Sequence, residues 1–210
     1  YLVGGKMTRR LAAYDPGQTL DIWGPLGNGF PPQLTDHLIM VAGGIGQTPF
    51  LALAKEPFGS QSFGPQTRRV EHVPRITLCY GARNKELLAG VTDFEEAGVD
   101  VQLCTDDGSA GRHGLVTELL EAVLDKNASD HPESKPRIAC CGPEPMMQAV
   151  ARIAKRRSVP AQVSLETPMA CGIGICFTCV ARVRDEHGDT DYRRTCVEGP
   201  VFDANRIEWA

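Results

Sequence analysis

Residues 38–46, Leu38-Ile39-Met40-Val41-Ala42-Gly43-Gly44-Ile45-Gly46, join an uninterrupted apolar run to a glycine-rich turn. Continuous apolar runs are typical of parallel strands buried on both faces, so we predict a strand over residues 38–42. A helical pattern follows from Thr48 to Lys55. A glycine turn before a helix permits a phosphate site, because the backbone can approach the ligand and the helix offers free N–H groups. The turn is not a full G-x-G-x-x-G motif, however, and a plain strand-to-helix turn explains it equally well.

The alternation of strand and helix continues through the middle of the chain. Further strands are predicted over residues 75–80, 99–104 and 137–141, and helices over residues 115–124 and 144–157. This alternation predicts an α/β fold with a parallel sheet. Two polar stretches interrupt it. We predict a surface excursion over residues 57–74 and a solvated loop over residues 125–135.

Polar turns follow the third and fourth predicted strands. They are Thr105-Asp106-Asp107-Gly108 and Cys141-Gly142-Pro143-Glu144. Open α/β sheets bind ligands at the carboxyl ends of their strands, where these turns and the glycine turn all lie. Asp106 and Asp107 are candidates for ligand contact, although both also suit an ordinary turn or a helix cap. Arg83, which follows the second strand, is either a phosphate or ribose contact or a solvated side chain.

Four cysteines near the end of the chain have the spacing of an iron–sulfur site. Cys171, Cys176 and Cys179 form a C-x4-C-x2-C run, and Cys196 follows at a distance. Plant-type [2Fe–2S] proteins use this arrangement, and four thiolates hold such a cluster. Gly172 and Gly174 would let the loop curl around the inorganic core. Apolar residues of the loop would shield the site and meet a partner protein; they are Met169, Ile173, Ile175 and Phe177.

Two other interpretations of the quartet stay open. Structural zinc favours C-x2-C pairs, of which Cys176 and Cys179 form one. A disulfide framework fits poorly, because the chain is not a short secreted scaffold. The remaining cysteines lie in or beside apolar runs, where core packing is the default role; they are Cys79, Cys104, Cys140 and Cys141.

Composition excludes several classes of protein. The chain has 210 residues and a net charge of −4, so no basic surface indicates a nucleic-acid partner. No apolar run approaches the roughly 20 residues of a membrane-spanning helix, and no signal peptide is visible. Eight cysteines without a secretory segment predict a cytoplasmic location. None of the five histidines lies in a nucleophile or metal-ligand pattern, so we expect no catalytic side chain.

The first part of the chain differs in character from the rest. Residues 1–34 are rich in glycine and proline, with a strand-like segment from Thr19 to Trp23 and a loop over residues 24–29. This composition is typical of the end of a β-barrel, and the absence of an initiator Met suggests a trimmed chain. We therefore divide the chain into a barrel remnant (1–34), a nucleotide-binding α/β domain (35–160) and a cysteine domain (161–210).

Taken together, these motifs resemble the ferredoxin–NADP reductase superfamily, and within it the electron-transfer subunits of heteromeric, NAD-linked dihydroorotate dehydrogenases. The resemblance covers nearly the whole chain. Its most specific motifs are the cysteine loop and Cys196-Val197-Glu198-Gly199-Pro200-Val201-Phe202; the others are Gly24-Pro25-Leu26-Gly27-Asn28-Gly29-Phe30, the glycine turn, Thr105-Asp106-Asp107-Gly108-Ser109 and Cys141-Gly142-Pro143.

The resemblance implies three cofactor sites and a relay between them. Residues implied at NAD are Gly43, Gly44, Gly46 and Asp106, with Cys141 and Gly142 near the nicotinamide and the flavin. Those implied at FAD are Tyr1, Met7 and Thr8, with Met7 replacing a glycine of the family's Gly-x-Gly-Thr motif. Electrons would pass between NAD(H), FAD and a [2Fe–2S] cluster held by Cys171, Cys176, Cys179 and Cys196.

The resemblance also implies a partner. It would be the FMN-containing catalytic subunit that oxidises dihydroorotate to orotate in pyrimidine biosynthesis, joined in a heterotetramer. Two alternatives remain. One is an electron-transfer subunit of a sulfide-, ferredoxin- or hydrogen-linked NAD(P) enzyme, and the other is a zinc-stabilised nucleotide-binding protein without redox activity.

Overall fold

The computed structural model describes residues 3–32, 34–63 and 70–209, and these residues form a parallel α/β sheet and a small hairpin. The strands are β1 His37–Gly43, β2 Arg75–Ala82, β3 Asp100–Thr105, β4 Arg112–His113, β5 Pro136–Cys141, β6 Ala161–Ser164, β7 Val180–Arg184, β8 Thr190–Arg194 and β9 Val201–Asp203. The α-helices are α1 Lys6–Ala12, α2 Phe50–Lys55, α3 Val91–Glu96, α4 Val116–Asp130 and α5 Glu144–Arg157. Three short 3₁₀ segments are Gly44–Gln47, Lys85–Leu87 and Ala204–Arg206.

The larger sheet has the strand order β4-β3-β2-β1-β5-β6-β9. Its strands are parallel except for β9, which pairs antiparallel with β6. Along the chain, β2 and β3 are added in turn on one side of β1, and β5 is then added on the other side of β1. The order therefore reverses between β1 and β5, which is where open α/β sheets bind ligands.

Alternating residues of the central strand bury both faces of the sheet. Ile39 and Val41 pack with residues of α4 and α5, whereas Met40 and Ala42 pack with residues of α2 and α3. All four side chains are fully buried. Because neither face meets water, β1 needs no polar positions, which explains its continuous apolar sequence.

The predicted parallel sheet is confirmed, and the predicted helix over residues 144–157 matches α5. The predicted solvated loop over residues 125–135 is wrong in its first half, because α4 continues to Asp130. Asn127 explains the extension, since its side chain is buried and bonds to His37 and Arg75 of the sheet. The predicted excursion over residues 57–74 is also wrong at Val73, which is 4% exposed; residues 64–69 lie outside the described residues.

The predicted strand over Thr19–Trp23 is wrong, since residues 3–32 contain helix α1 and no strand. A strand needs a neighbour for its backbone hydrogen bonds. Among the described residues none pairs with 19–23, and Ile22 and Trp23 are 84% and 71% exposed. Among the described residues, every helix is too short or too polar to span a membrane.

The amino ends of the strands carry a buried polar network beside a cleft of about 510 Å³. His37 contributes Nδ1 to a 2.9 Å hydrogen bond with Asn127 and Nε2 to a 2.9 Å bond with Thr77. Burial, which is the largest effect, lowers the pKa of His37; the nearby Arg75 adds to this, while the hydrogen bond to the Asn127 side-chain oxygen and the carboxylates of Asp36 and Asp100 oppose it.

This network predicts a pH-dependent contribution to stability. Below about pH 6.5 the unfolded chain protonates His37 before the folded chain does, so the stabilising contribution present above that pH is lost as the pH falls. We expect His37→Gln to lose less free energy of unfolding between pH 7.5 and 5.5 than the wild type loses. Urea unfolding at the two pH values measures this, and an equal loss in both proteins would contradict it.

Candidate functional site

Two predicted turns meet where the strand order of the sheet reverses. Gly43 ends β1 and Cys141 ends β5, and these strands are hydrogen-bonded neighbours with Ala42 opposite Cys141. The predicted helix over 48–55 begins later than expected, because a 3₁₀ turn over Gly44–Gln47 comes before α2. The structure thus brings the glycine turn and the Cys141-Gly142 turn together at the carboxyl edge.

The glycines of this site have two different roles. A Cβ on Gly46 would overlap the carbonyl oxygen of Cys141, and one on Gly43 would lie 2.6 Å from Cδ of Pro143. These two positions therefore need glycine for close packing of the turns. Gly44 is different: its φ is +54°, and a Cβ there would meet nothing within 4 Å. Its backbone faces open space at the edge where a ligand would bind.

The aspartate turn lies at the same edge, two strands away from β1. Backbone N–H groups of Asp106 and Asp107 donate to the carbonyls of Ala82 and Arg83, at 3.1 and 3.2 Å. The Asp107 carboxylate accepts a 2.9 Å hydrogen bond from the backbone N–H of Ser109, so it serves the turn. Hydrogen bonds from Ser109 accordingly lower the pKa of Asp107. The Asp106 side chain is exposed at the edge.

A β-hairpin brings distant cysteines together. Cys179 directly precedes β7 and Cys196 follows β8 by two residues, and β7 pairs antiparallel with β8, with Val180 opposite Arg194. The backbone N–H of Thr195 donates to the carbonyl of Cys179 at 2.7 Å. Both thiols are nearly buried, with 1% of Cys179 and 4% of Cys196 exposed. The hairpin therefore explains how a ligand 17 residues further along the chain joins the C-x2-C pair.

Left-handed backbone lets the loop before the hairpin curl. Gly172 and Gly174 have φ of +67° and +83°, and Phe177 has φ of +54°. A positive φ is rare for a bulky residue and is typically found at functional sites. The backbone N–H of Ile173 points back to Cys171 Sγ at 3.4 Å. The loop thus folds around its own sulfur atoms.

The four thiols form two pairs. Cys171 lies beside Cys176, and Cys179 lies beside Cys196. Hydrogen bonds from Thr178, followed by those from Cys171, lower the pKa of Cys176 to about 6. Sharing of a proton lowers the pKa of Cys179 and raises that of Cys196. Thiolate is the form of cysteine that binds metal.

This arrangement fits a two-iron cluster better than a single metal ion. Tetrahedral zinc needs its four ligands to converge on one point. Within the described ranges, which include all eight cysteines, no three His, Cys, Asp or Glu side chains are grouped to hold one ion. Two pairs of thiols suit two iron atoms, each with two protein ligands.

The cysteine module leaves the sheet beside the nucleotide turns. Ser164 ends β6 directly opposite Cys141 of β5. Leu165 donates its N–H to the carbonyl of Pro200 at 2.9 Å, so the chain also returns into β9 at this edge. Both β6 and β9 belong to the larger sheet, although they lie within the predicted 161–210 domain. That domain division stays a prediction.

The other four cysteines lie either in the core or at the edge of the larger sheet. Cys79, Cys104 and Cys140 are at most 1% exposed, as their apolar surroundings predict. Burial raises the pKa of all three thiols, that of Cys104 to about 11. Cys141 is partly exposed at the nucleotide edge. All eight cysteines are free thiols, so the disulfide interpretation is wrong.

The residues implied at FAD are not brought to this edge by any contact seen in the described chain. Met7 is 61% exposed on α1, a helix with no buried residue. Thr8 Oγ accepts hydrogen bonds of 3.0 Å from the N–H groups of Gly4 and Gly5, so those donors are already used. Tyr1 lies outside the described residues.

Comparison with known families agrees with both parts of the site. Residues 40–152 match the oxidoreductase NAD-binding domain. Residues 166–208, which hold all four cysteines, match the iron-sulfur cluster binding domain of dihydroorotate dehydrogenase B. The electron transfer subunit of dihydroorotate dehydrogenase B (NAD(+)) from Caldanaerobacter subterraneus is 34% identical over 99% of this chain and 73% of its own length. The chain belongs to this family of electron transfer subunits.

Other members and one solved structure extend the similarity. The probable dihydroorotate dehydrogenase B electron transfer subunit of Methanocaldococcus jannaschii is 35% identical over 98% of this chain and 69% of its own length. A chain of the NADH-dependent reduced ferredoxin-NADP oxidoreductase, studied for flavin-based electron bifurcation, is 30% identical with a TM-score of 0.72. It matches 98% of this chain and 66% of that chain.

One residue that supports the site in this family member was missed by sequence reasoning. The Asn28 side-chain amide donates to the carbonyls of Glu198 and Val201, at 3.1 and 2.9 Å, and its oxygen accepts from the N–H of Val201 at 2.8 Å. It thereby ties the loop over residues 24–29 to the Cys196 segment. Both motifs are visible in the sequence, but their pairing across 170 or more residues is not.

Proposed function

We propose that this electron transfer subunit moves electrons between NAD(H) at the carboxyl edge of the larger sheet and a partner subunit at the cysteine loop. The carrier in the cysteine module is a [2Fe–2S] cluster held by Cys171, Cys176, Cys179 and Cys196. One observation carries the proposal: the nucleotide turns and both connections to the paired thiols lie at one sheet edge, on neighbouring strands. A bound cluster of this type supplies one-electron transfer.

The residues of the nucleotide site have different roles. Gly44 presents open backbone to the pyrophosphate of NAD, while Gly43 and Gly46 let the two turns pack closely enough to form the site. Cys141 and Gly142 border the position of the nicotinamide. Asp106, exposed two strands away, is placed to meet the more distant part of the nucleotide.

The partner is the FMN-containing catalytic subunit that oxidises dihydroorotate to orotate in pyrimidine biosynthesis, assembled with this chain as a heterotetramer. The names of the relatives support this, since they are electron transfer subunits of dihydroorotate dehydrogenase B (NAD(+)). The same names favour NAD over NADP. Eight free cysteines support a reducing cytoplasmic compartment.

FAD is the family's link between a two-electron hydride donor and a one-electron cluster. The described residues do not by themselves fit it, because Thr8 occupies the N–H groups of Gly4 and Gly5 and α1 buries no side chain. FAD therefore stays a prediction from the resemblance, and we draw no step through Met7 or Thr8.

Metal and sulfide analysis of the complex tests this function. We expect two irons and two sulfides per chain, with visible absorption that dithionite bleaches, and dihydroorotate-dependent reduction of NAD. A colourless protein with stoichiometric zinc would support the non-redox alternative and overturn the proposal.

A second candidate is a subunit of a ferredoxin-linked NAD(P) oxidoreductase. The 30% identity and TM-score of 0.72 to the NADH-dependent reduced ferredoxin-NADP oxidoreductase favour it. The identity of the co-purifying partner decides between the candidates, because only the first predicts a subunit that oxidises dihydroorotate.

The cysteine loop is predicted to be the surface that meets the partner. Met169, Ile173, Ile175 and Phe177 are 50–73% exposed. We expect Ile175→Gln to weaken association by about 2 kcal/mol, or about thirtyfold in Kd, as for a buried interface anchor. Leu115→Gln is the matched control, because Leu115 is 60% exposed beside β4, at the far edge of the sheet. Equal affinities of the two variants, measured by calorimetry with iron content checked, would contradict the prediction.

A further inference from the structure

Arg194 holds the cysteine loop on both sides of Cys176. It ends β8, two residues before Cys196. Its Nη1 donates a 2.8 Å hydrogen bond to the carbonyl of Gly174, and its guanidinium lies 5.0 Å from the ring centroid of Phe177. A single side chain therefore fixes the loop just before and just after one cluster ligand.

Glu198 fixes the orientation of this guanidinium. Nε and Nη2 of Arg194 donate to the two carboxylate oxygens of Glu198 at 3.2 and 2.8 Å, and the backbone N–H of Arg194 donates to the carboxylate at 2.9 Å. The two side chains are only 27% and 30% exposed. Planar, bidentate pairs of this kind give geometric specificity that a lysine would not reproduce.

The charge of Arg194 also acts on the thiols. Arg194 lies two residues before Cys196, and its guanidinium bonds at 2.8 Å to the carbonyl of Gly174, two residues before Cys176, so its positive charge is held beside two of the ligands. Reduction of a [2Fe–2S] cluster adds one electron without a proton, so it adds one negative charge next to this cation. A fixed positive charge stabilises the reduced form and raises the potential, whereas the paired carboxylate opposes it.

We propose that Arg194 and Glu198 form a positioning and potential-setting pair for the cluster. The inference rests on the proposed ligation of a [2Fe–2S] cluster by the four cysteines. Arg194 raises the potential by its charge and holds the loop by its bond to Gly174, and Glu198 limits the first effect while orienting the side chain for the second.

The test is a dithionite titration of the cluster's EPR signal in the complex of the full chain with its partner. We expect Arg194→Gln to lower the equilibrium constant for one-electron reduction about tenfold, which is about 59 mV more negative. Glu198→Gln should shift the potential in the opposite direction, and the double variant should return close to the wild type. Arg194→Lys keeps the charge, so its potential should stay close to wild type while its cluster is lost faster to a chelator.

Arg193→Gln is the matched control. Arg193 is the neighbouring residue of the same strand, projects to the other face and pairs with Asp191 at 3.4 Å. Shifts in the same direction for Arg194→Gln and Glu198→Gln, or shifts no larger than that of the control, would overturn the inference. If Arg194→Gln fails to retain iron, Glu198→Gln decides, and the absence of a positive shift overturns it. A wild type without iron and sulfide would instead refute the cluster assignment.

Discussion

Replacing Cys176 with serine is expected to remove the iron–sulfur cluster and stop electron delivery to the partner subunit. Cys176 is the exposed member of its thiol pair, and hydrogen bonds from Thr178 and Cys171 lower its pKa to about 6. A [2Fe–2S] cluster needs four soft thiolate ligands, and serine offers a hard oxygen in place of one of them. Iron and sulfide analysis, followed by the rate of dihydroorotate–NAD coupling, measures the loss.

The fold itself should survive this substitution. Because the side chain is exposed, we expect the free energy of unfolding of the variant to differ from that of the cluster-free wild type by no more than about 0.5 kcal/mol. Binding of NADH should persist, since the nucleotide turns are untouched. Cys104→Ala is the control, as Cys104 is 1% exposed in the sheet core and should leave iron content unchanged. Unchanged coupling in Cys176→Ser would refute the relay.

Local patterns predicted the parts of this fold that depend on local physics. Strand β1 was visible because both of its faces are buried, and α5 because its apolar residues recur at helical spacing between Pro143 and the basic run that ends at Arg157. The reversal of strand order between β1 and β5, in contrast, depends on which strands become neighbours. Which strands become neighbours depends on packing between residues far apart in the sequence, and local sequence patterns do not show it.

The cysteine site also has a part that local sequence predicts and a part that depends on long-range packing. The spacing of Cys171, Cys176 and Cys179 predicted their chemistry, but the approach of Cys196 depends on the β7–β8 hairpin, whose strands were not predicted. Arg194 and Glu198 were likewise not recognised as contacts, because an arginine four residues before a glutamate is a common surface pattern. The strand prediction in the N-terminal segment was wrong for a different reason. Thr19–Trp23 alternates like a strand but has no paired neighbour among the described residues.

Replacing Gly44 with alanine is expected to weaken NAD binding with only a modest loss of stability. The left-handed backbone at φ +54° costs an alanine about 1–2 kcal/mol, while its methyl group meets no protein atom within 4 Å. The methyl would instead occupy the open side of the turn, where the pyrophosphate approaches the backbone. Loss of a hydrogen bond to a charged group, about 1.5–3 kcal/mol, would raise the Kd for NADH about 10- to 150-fold.

Two further glycines separate the ligand effect from backbone strain. Gly59 also has a positive φ, +74°, and lies in the loop after α2. A Cβ at this position would meet nothing within 4 Å. Gly59→Ala should therefore lose comparable stability in urea unfolding while binding NADH normally in a fluorescence titration. Gly46→Ala should lose both, because its methyl would overlap the Cys141 carbonyl and lie 2.8 Å from the Gly142 nitrogen. If Gly44→Ala binds NADH as tightly as Gly59→Ala, the glycine turn is a strand-to-helix connection and the pyrophosphate binds elsewhere.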